Sequence, residues 1–215
     1  IAINHPIGIV TRAMINLWFK HNPNDGDRLP ENIADIFTQI CNVKVSQFRH
    51  GRVVLGSQLI PLFRVDQPWT EKNLLPLFDW TTDSREAQAV WEGFLWSPRL
   101  FQPLLIALKP QLLKTVQHYE DLGDYRKQFA VFLTYAALQP IEGYTRGEFR
   151  SAFAGLPQEG REKSAETLVE ALESAGDQRE DFWKNRILKF LKQVWPKSRE
   201  CATQKIAESF TRLII

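Results

Sequence analysis

Apolar residues recur at helical spacing along most of the chain, and strand-like alternation is rare. Residues 7–19 carry apolar side chains three and four positions apart, and Asn4-His5-Pro6 is a suitable start, with proline in the first turn. The apolar residues with this spacing are Ile7, Val10, Met14, Leu17 and Trp18, which give the first helix an aromatic end. Pro30 opens a second predicted helix, with Ile33, Ile36, Phe37 and Ile40 inward.

The pattern predicts a third helix over about residues 47–60. Gly56 lies inside it, where glycine costs about 1 kcal/mol relative to alanine. This cost indicates the close approach of a neighbouring helix. Pro61 is expected to end or kink the helix, because proline lacks an N–H donor and its ring clashes with the preceding turn. A short helix then starts at Gln67-Pro68.

The stretch from Trp80 to Leu113 holds three of the seven tryptophans, and three prolines divide it into short helical pieces. Asp83 followed by Glu86 has the spacing of a capping box. The helix that begins there is expected to end near Trp96, because Ser97 precedes a proline and is disfavoured in the helical region.

The second half of the chain is more regular. Thr145 and Glu148 form another capping box, and Gly176 ends a helix that carries a stripe of glutamates. In all, roughly eleven short helices are expected. They predict an all-α fold, as an irregular α-solenoid or layered array of antiparallel helices.

The chain is expected to be a single helical domain or a fragment of one, with a sub-boundary near residues 123–124 or 139–144. It starts at Ile1 and ends in Arg-Leu-Ile-Ile, an apolar start and finish that suggest part of a longer polypeptide.

Composition indicates a globular protein, with 44% hydrophobic and 24% charged residues. The net charge of +2 gives no strong preference for nucleic acid or for an anionic membrane. No apolar run reaches the roughly 18 residues of a membrane span, and no signal peptide is visible. Cys41 and Cys201 are expected to be buried free thiols in a reducing compartment, which favours the cytoplasm.

No catalytic or cofactor motif stands out. None of the four histidines has a second metal ligand three or four positions away, and no glycine-rich phosphate loop or nucleophile elbow occurs. The stripe of glutamates has the spacing of a solvated helix surface. We therefore expect no enzyme activity, metal or cofactor in this region. These glutamates are Glu159, Glu162, Glu166, Glu170 and Glu173.

Trp96 and Arg99 form the first candidate contact. Arg99 follows Ser97-Pro98 in a turn rich in aromatic residues. It could lock the turn by stacking on a ring or by binding helix-end carbonyls, or it could contact a partner.

A basic segment forms the second candidate, for nucleic acid. Its cations alternate with Trp183, Phe190 and Trp195, which are predicted to share the core face of an ordinary amphipathic helix. The acidic helix before it is expected to be its electrostatic neighbour. The cations are Lys184, Arg186, Lys189, Lys192, Lys197 and Arg199.

Four segments resemble the helical region found C-terminal to sirtuin-like domains in large bacterial proteins, many of which are linked to anti-phage defence. They are Ile3-Asn4-His5-Pro6-Ile7-Gly8, residues 68–80 (PWTEKNLLPLFDW), residues 91–100 (WEGFLWSPRL) and Val194-Trp195-Pro196-Lys197. The resemblance would cover most of the chain.

In that family the sirtuin-like domain binds or cleaves NAD with a glycine-rich loop and a catalytic histidine. This chain has neither, and His50-Gly51 is not preceded by a nucleotide-binding βαβ unit. The resemblance therefore implies a scaffold, sensor or regulatory arm that contacts a protein partner or sister subunit. Nucleic-acid binding is the alternative.

Overall fold

The computed structural model describes residues 2–213, with only the backbone described at Glu200. Within this range the chain is helical and contains no strand, which confirms the all-α prediction. The solenoid or layered arrangement stays a prediction. No helix of the described part is long and apolar enough to cross a membrane.

The helices of the first half are Pro6–Phe19 (α1), Glu31–Cys41 (α2), Arg49–Ser57 (α3), Leu59–Val65 (α4), Gln67–Asn73 (α5), Ser84–Leu95 (α6), Gln102–Ala107 (α7) and Lys109–Thr115 (α8). The later ones are Arg126–Leu138 (α9), Arg146–Gly155 (α10), Gln158–Glu173 (α11), Arg179–Phe182 (α12), Leu188–Gln193 (α13) and Gln204–Arg212 (α14). A π-helical turn, Trp183–Ile187, joins α12 to α13. The other helical residues of the described range form short 3-10 turns: Ala2–Asn4, Ser46–Phe48, Leu75–Phe78, Val116–His118, Glu120–Tyr125, Gly176–Gln178 and Arg199–Cys201.

The chain divides into two compact units. The first ends at Gln111 and the second begins at Leu112.

Helix α1 begins as predicted, and only some of its helically spaced apolar residues are buried. His5 is the N-cap, and Pro6 occupies the first turn. The buried positions are Gly8, Thr11, Ile15 and Trp18. Val10 and Leu17 share the helical spacing but are 57% and 59% exposed.

Helices α3 and α6 make the most extensive contact of the first unit. A Cβ on Gly56 would lie 2.6 Å from the Val90 carbonyl oxygen, and a Cβ on Gly93 would lie 2.0 Å from the Val53 carbonyl oxygen. Neither distance leaves room for a methyl group, so glycine is required at both positions. The close approach predicted at Gly56 is confirmed, and Gly93 is its counterpart on α6.

A buried ion pair joins the same two helices near their N-terminal ends. The Arg52 Nε donates to the Glu86 carboxylate at 2.6 Å, and the side chains are 0% and 3% exposed. Arg49 donates to the same carboxylate at 2.8 Å. Gly56 and Gly93 follow Arg49 and Glu86 by about two helical turns on their respective helices. The two helices therefore run side by side in the same direction.

This pairing modifies the capping box predicted for α6. Asp83 is the N-cap and accepts from the Arg85 and Glu86 N–H groups, as predicted. The Glu86 carboxylate, however, bonds to the two arginines and leaves the other half of the box unmade. At Thr145 and Glu148, by contrast, both halves of the predicted box are present.

The predicted third helix is interrupted before Pro61. It ends at Ser57, and α4 starts at Leu59 with Pro61 in its first turn. The ring of Pro61 would clash with the carbonyl four residues earlier in a continuous helix, which explains the break.

Several arginines hold helix ends, a role that the sequence did not reveal. Arg52 donates to the carbonyls of Ile40, Asn42 and Val45 just past and within the end of α2. In the second unit, Arg146 and Arg186 donate to the last carbonyls of α9, Arg150 to that of α13, and Arg161 to the Leu156 carbonyl after α10. Such bonds satisfy acceptors that have no intrahelical partner.

Most aromatic side chains lie in the core, as composition suggested. In the first unit, Trp91 is fully buried, meets Phe78 edge-on and donates its indole N–H to the Phe78 carbonyl at 3.1 Å. In the second, Phe190 and Trp195 pack with Phe153. Both cysteines are free and buried, and burial raises the pKa of the Cys41 thiol to about 12.

Candidate functional site

A cavity of about 320 Å³ lies at the C-terminal ends of α3 and α6. The parallel course of the two helices brings these ends together, and α4 closes one side. Leu59 and Phe94 are the buried apolar part of its lining, and Ser57, Gln58 and Ser97 contribute polar groups. Arg64 and Arg99 are its cations.

Arg99 is exposed on this cavity, in the non-helical segment after α6. Among residues 2–213, no hydrogen bond or ion pair of its guanidinium is found, so neither proposed way of locking the turn is observed. Arg64 forms an exposed ion pair with Asp25, at 3.0 Å. Of the candidate contact Trp96 and Arg99, the structure places Arg99 at the cavity. The sequence did not single out Arg64, the second cation of the lining.

Trp96 has a different place. It is half-buried and packs against Ala2, Val53 and Ala89 in the core of the first unit. Trp96 was predicted only as a partner contact, and this packing gives it a structural role as well.

The basic segment lies on the surface, as a nucleic-acid contact requires. Lys189, Lys192, Lys197 and Arg199 are exposed, and no carboxylate partner for them is found in the described part of the chain. Lys184, also exposed, pairs with Glu180 one turn earlier. Arg186 differs from the others, since it is half-buried and donates to the Leu138 carbonyl at 3.2 Å.

The acidic helix α11 contacts the start of this segment, the π-helical turn Trp183–Ile187, but no ion pair joins the two among the described residues. Its glutamates pair with other cations: Glu159 with Arg126 and Lys127, Glu162 with Lys205, Glu166 and Glu170 with Lys163, and Glu173 with Arg212. The hydrogen bond from Arg126 holds the pKa of Glu159 below its ordinary value. The basic segment therefore keeps its charge available.

The outer face of α1, formed by Ile9, Val10, Ala13 and Leu17, is an apolar surface that the sequence did not predict. All four residues are exposed. At 100° per residue they span an arc of about 100°. Among the described residues, helix α1 packs chiefly on α3 and on the turn Ala2–Asn4, and its buried residues lie on the opposite side.

No group of three or more metal-binding side chains is present in the described range. His50 and Gly51 lie within α3, a helical context unlike that of a nucleotide-binding loop.

Comparisons with protein-family models, curated proteins and solved structures found no match. The resemblance to sirtuin-associated helical regions therefore stays a prediction.

Proposed function

We propose that this chain is a non-catalytic helical interaction module whose outer face of α1 binds an amphipathic helix of a partner protein. The observation that carries the proposal is the exposure of three large apolar side chains on one helix face. Ile9, Val10 and Leu17 are 46%, 57% and 59% exposed.

Helix α1 is apolar on nearly all sides. Its inner face holds Ile15 and Trp18, its outer face holds the exposed residues, and Arg12 and Asn16 occupy the narrow polar remainder. A helix of this kind is normally buried all round. Here the chain itself covers one side, so a second element is needed to cover the other. Apolar anchors at helical spacing suit a helix laid alongside.

Charge indicates the chemistry of that partner. The first acidic residue of the chain is Asp25, whereas Arg12 and Lys20 lie exposed on or beside α1. A partner helix with acidic residues flanking its apolar face complements these cations. A second copy of this chain would bring like charges together, which disfavours self-association through α1.

Selection from a displayed library of helical peptides tests this proposal. Peptides enriched on the full chain should carry apolar residues at i, i+3 or i+4, and i+7, with Asp or Glu at the flanks. The V10E/L17E variant should lose them, since it places carboxylates on the face. The matched variant T82E/Q88E makes the same change in net charge at exposed positions elsewhere in the first unit and should retain them. Peptides that bind V10E/L17E equally well would contradict the proposal, as would enriched peptides without acidic flanks.

A second candidate function is nucleic-acid binding by the basic segment. The observation in its favour is that the acidic helix pairs elsewhere, leaving Lys189, Lys192, Lys197 and Arg199 without carboxylate partners among the described residues. Phosphate contacts should be strongest at low salt.

Binding of labelled DNA and RNA by the full chain, measured against salt concentration, tests this candidate. The K189E/K192E variant should lose salt-sensitive binding. The K44E/K72E variant, with the same change in net charge in the first unit, should keep it. Absence of binding at low salt would rule out the candidate.

The resemblance supports a finer proposal, that the module serves as a regulatory arm of a bacterial sirtuin-like protein. On that proposal any NAD chemistry belongs to another domain.

A further inference from the structure

We propose that the cavity at the ends of α3 and α6 binds a small organic anion, whose phosphate or carboxylate group meets Arg99 and Arg64 and whose apolar part lies against Ile60 and Pro61. This site is separate from the outer face of α1 and does not depend on it.

The dimensions and lining suit such a ligand. A volume of about 320 Å³ falls within the range of small-molecule pockets, which combine apolar walls with a few polar groups. Ile60 and Pro61 line the cavity and are partly exposed, so they offer apolar surface to a ligand, whereas Leu59 and Phe94 are fixed in the core. Gln58 and Ser97 add hydrogen-bonding groups at the same cavity.

Within residues 2–213, neither Arg64 nor Arg99 donates a side-chain hydrogen bond to the helix ends at this cavity. The Ser57 hydroxyl donates to the Val54 carbonyl at 2.7 Å, and the Gln58 N–H bonds to the Leu55 and Gly56 carbonyls. On α6, the Trp96 N–H bonds to the Gly93 carbonyl. Elsewhere in the molecule arginines donate to helix ends, whereas here the donors are backbone N–H groups and a serine hydroxyl.

The cations are therefore available for a ligand. Arg99 makes no hydrogen bond or ion pair within residues 2–213. Over the same range Arg64 is paired only with Asp25, and the two side chains are 51% and 61% exposed. An exposed pair of this kind contributes little stability, so an anion in the cavity can replace Asp25. The planar guanidinium fork suits phosphate and carboxylate oxygens.

Isothermal titration calorimetry of the full chain with four probes tests the proposal. The probes are phenyl phosphate, benzoate, inorganic phosphate and benzyl alcohol. Phenyl phosphate should bind more tightly than inorganic phosphate because its ring adds apolar contact, benzoate should bind, and neutral benzyl alcohol should not. No binding of phenyl phosphate at about 10 mM, where a millimolar Kd is readily seen, would overturn the proposal. So would equal affinities for phenyl phosphate and inorganic phosphate.

Three variants locate the site. R99Q should weaken phenyl phosphate binding by roughly tenfold or more, as expected for loss of a charged hydrogen bond. D25N should strengthen it, because Arg64 is then released from its partner. R85Q removes an exposed arginine on the first turn of α6 and should leave the affinity within about twofold. An R99Q affinity within twofold of the unmodified chain would overturn the proposal, as would equal weakening by R85Q.

Discussion

The imidazole rings of His5 and His50 lie 4.1 Å apart between centroids, tilted by 33°. His5 caps α1 by accepting the Ile7 N–H on its Nδ1, which requires that nitrogen to be unprotonated. Burial, and after it the neighbouring His5 and Arg49, lower the pKa of His50 from its ordinary value of 6.5.

This pair predicts a pH dependence of stability. Since the folded state disfavours the charged form of His50, the unfolded chain takes up the proton more readily. The stability contributed by neutral His50 is present in full above about pH 6.5 and is lost as the pH falls below that value. At most one proton is taken up on unfolding. Urea denaturation between pH 5.5 and 7.5 measures the slope of the unfolding free energy against pH. H50Q should reduce it and H21Q, at an exposed position, should not. A slope unchanged in H50Q would contradict the assignment.

Arg52→Met is expected to destabilise the fold by about 3–5 kcal/mol, because it leaves the buried Glu86 carboxylate without its closest cation and frees three carbonyls. Chemical denaturation followed by circular dichroism measures the loss. Adding E86Q should recover part of it, because the uncompensated charge is then removed. R85M, at an exposed position, is the control, and an equal loss in R85M would show that the buried pair is unimportant.

Gly93→Ala tests the contact between α3 and α6. Alanine favours the helix by about 1 kcal/mol, but its methyl group would meet the Val53 carbonyl and separate the helices. We expect a net loss of roughly 1–3 kcal/mol in unfolding free energy. Gly147→Ala on α10 is the control, because the nearest atom to a Cβ there is 3.9 Å away and the change should be neutral or stabilising. An unchanged unfolding free energy in Gly93→Ala would mean that the two helices move apart at no energetic cost.

The full chain is expected not to consume NAD. The described range contains no strand, and His50-Gly51 lies in a helix, so the loop and sheet that position NAD in sirtuin-like domains have no counterpart here. A fluorescence assay for NAD loss, with a known NAD-cleaving enzyme as positive control, measures this. Turnover that copurifies with the chain and is lost in H50Q would contradict the expectation.

Helix starts could be predicted because their signals are local. Pro6 fixes the first turn of α1, and Asp83 and Thr145 accept N–H groups within three residues of themselves. The inward face of α1 could not be predicted, because a helix that is apolar on nearly all sides does not select one by periodicity. Packing decides the inward face: Gly8 leaves space for the Ala2 carbonyl, and Gly51 on α3 leaves space for the side chains of Thr11 and Ile7.

The candidate site was only partly visible for a related reason. Arg99 stood out in its aromatic-rich turn. Arg64, Ser57 and Gln58 carried no local signal, because the cavity forms only when α3 packs on α6. The capping role of Arg52 was also hidden, since its carbonyl partners belong to a loop and another helix.

The parallel course of α3 and α6 also constrains how the first unit folds. Their buried bonds join residues 34 and 37 positions apart, so the intervening segment must form a closed loop before the pair can assemble. Contacts of this separation slow folding relative to a bundle of sequential hairpins. During synthesis, a chain that has emerged only as far as α5 presents α3 without its partner, and the core can close only after Leu95 has left the ribosome.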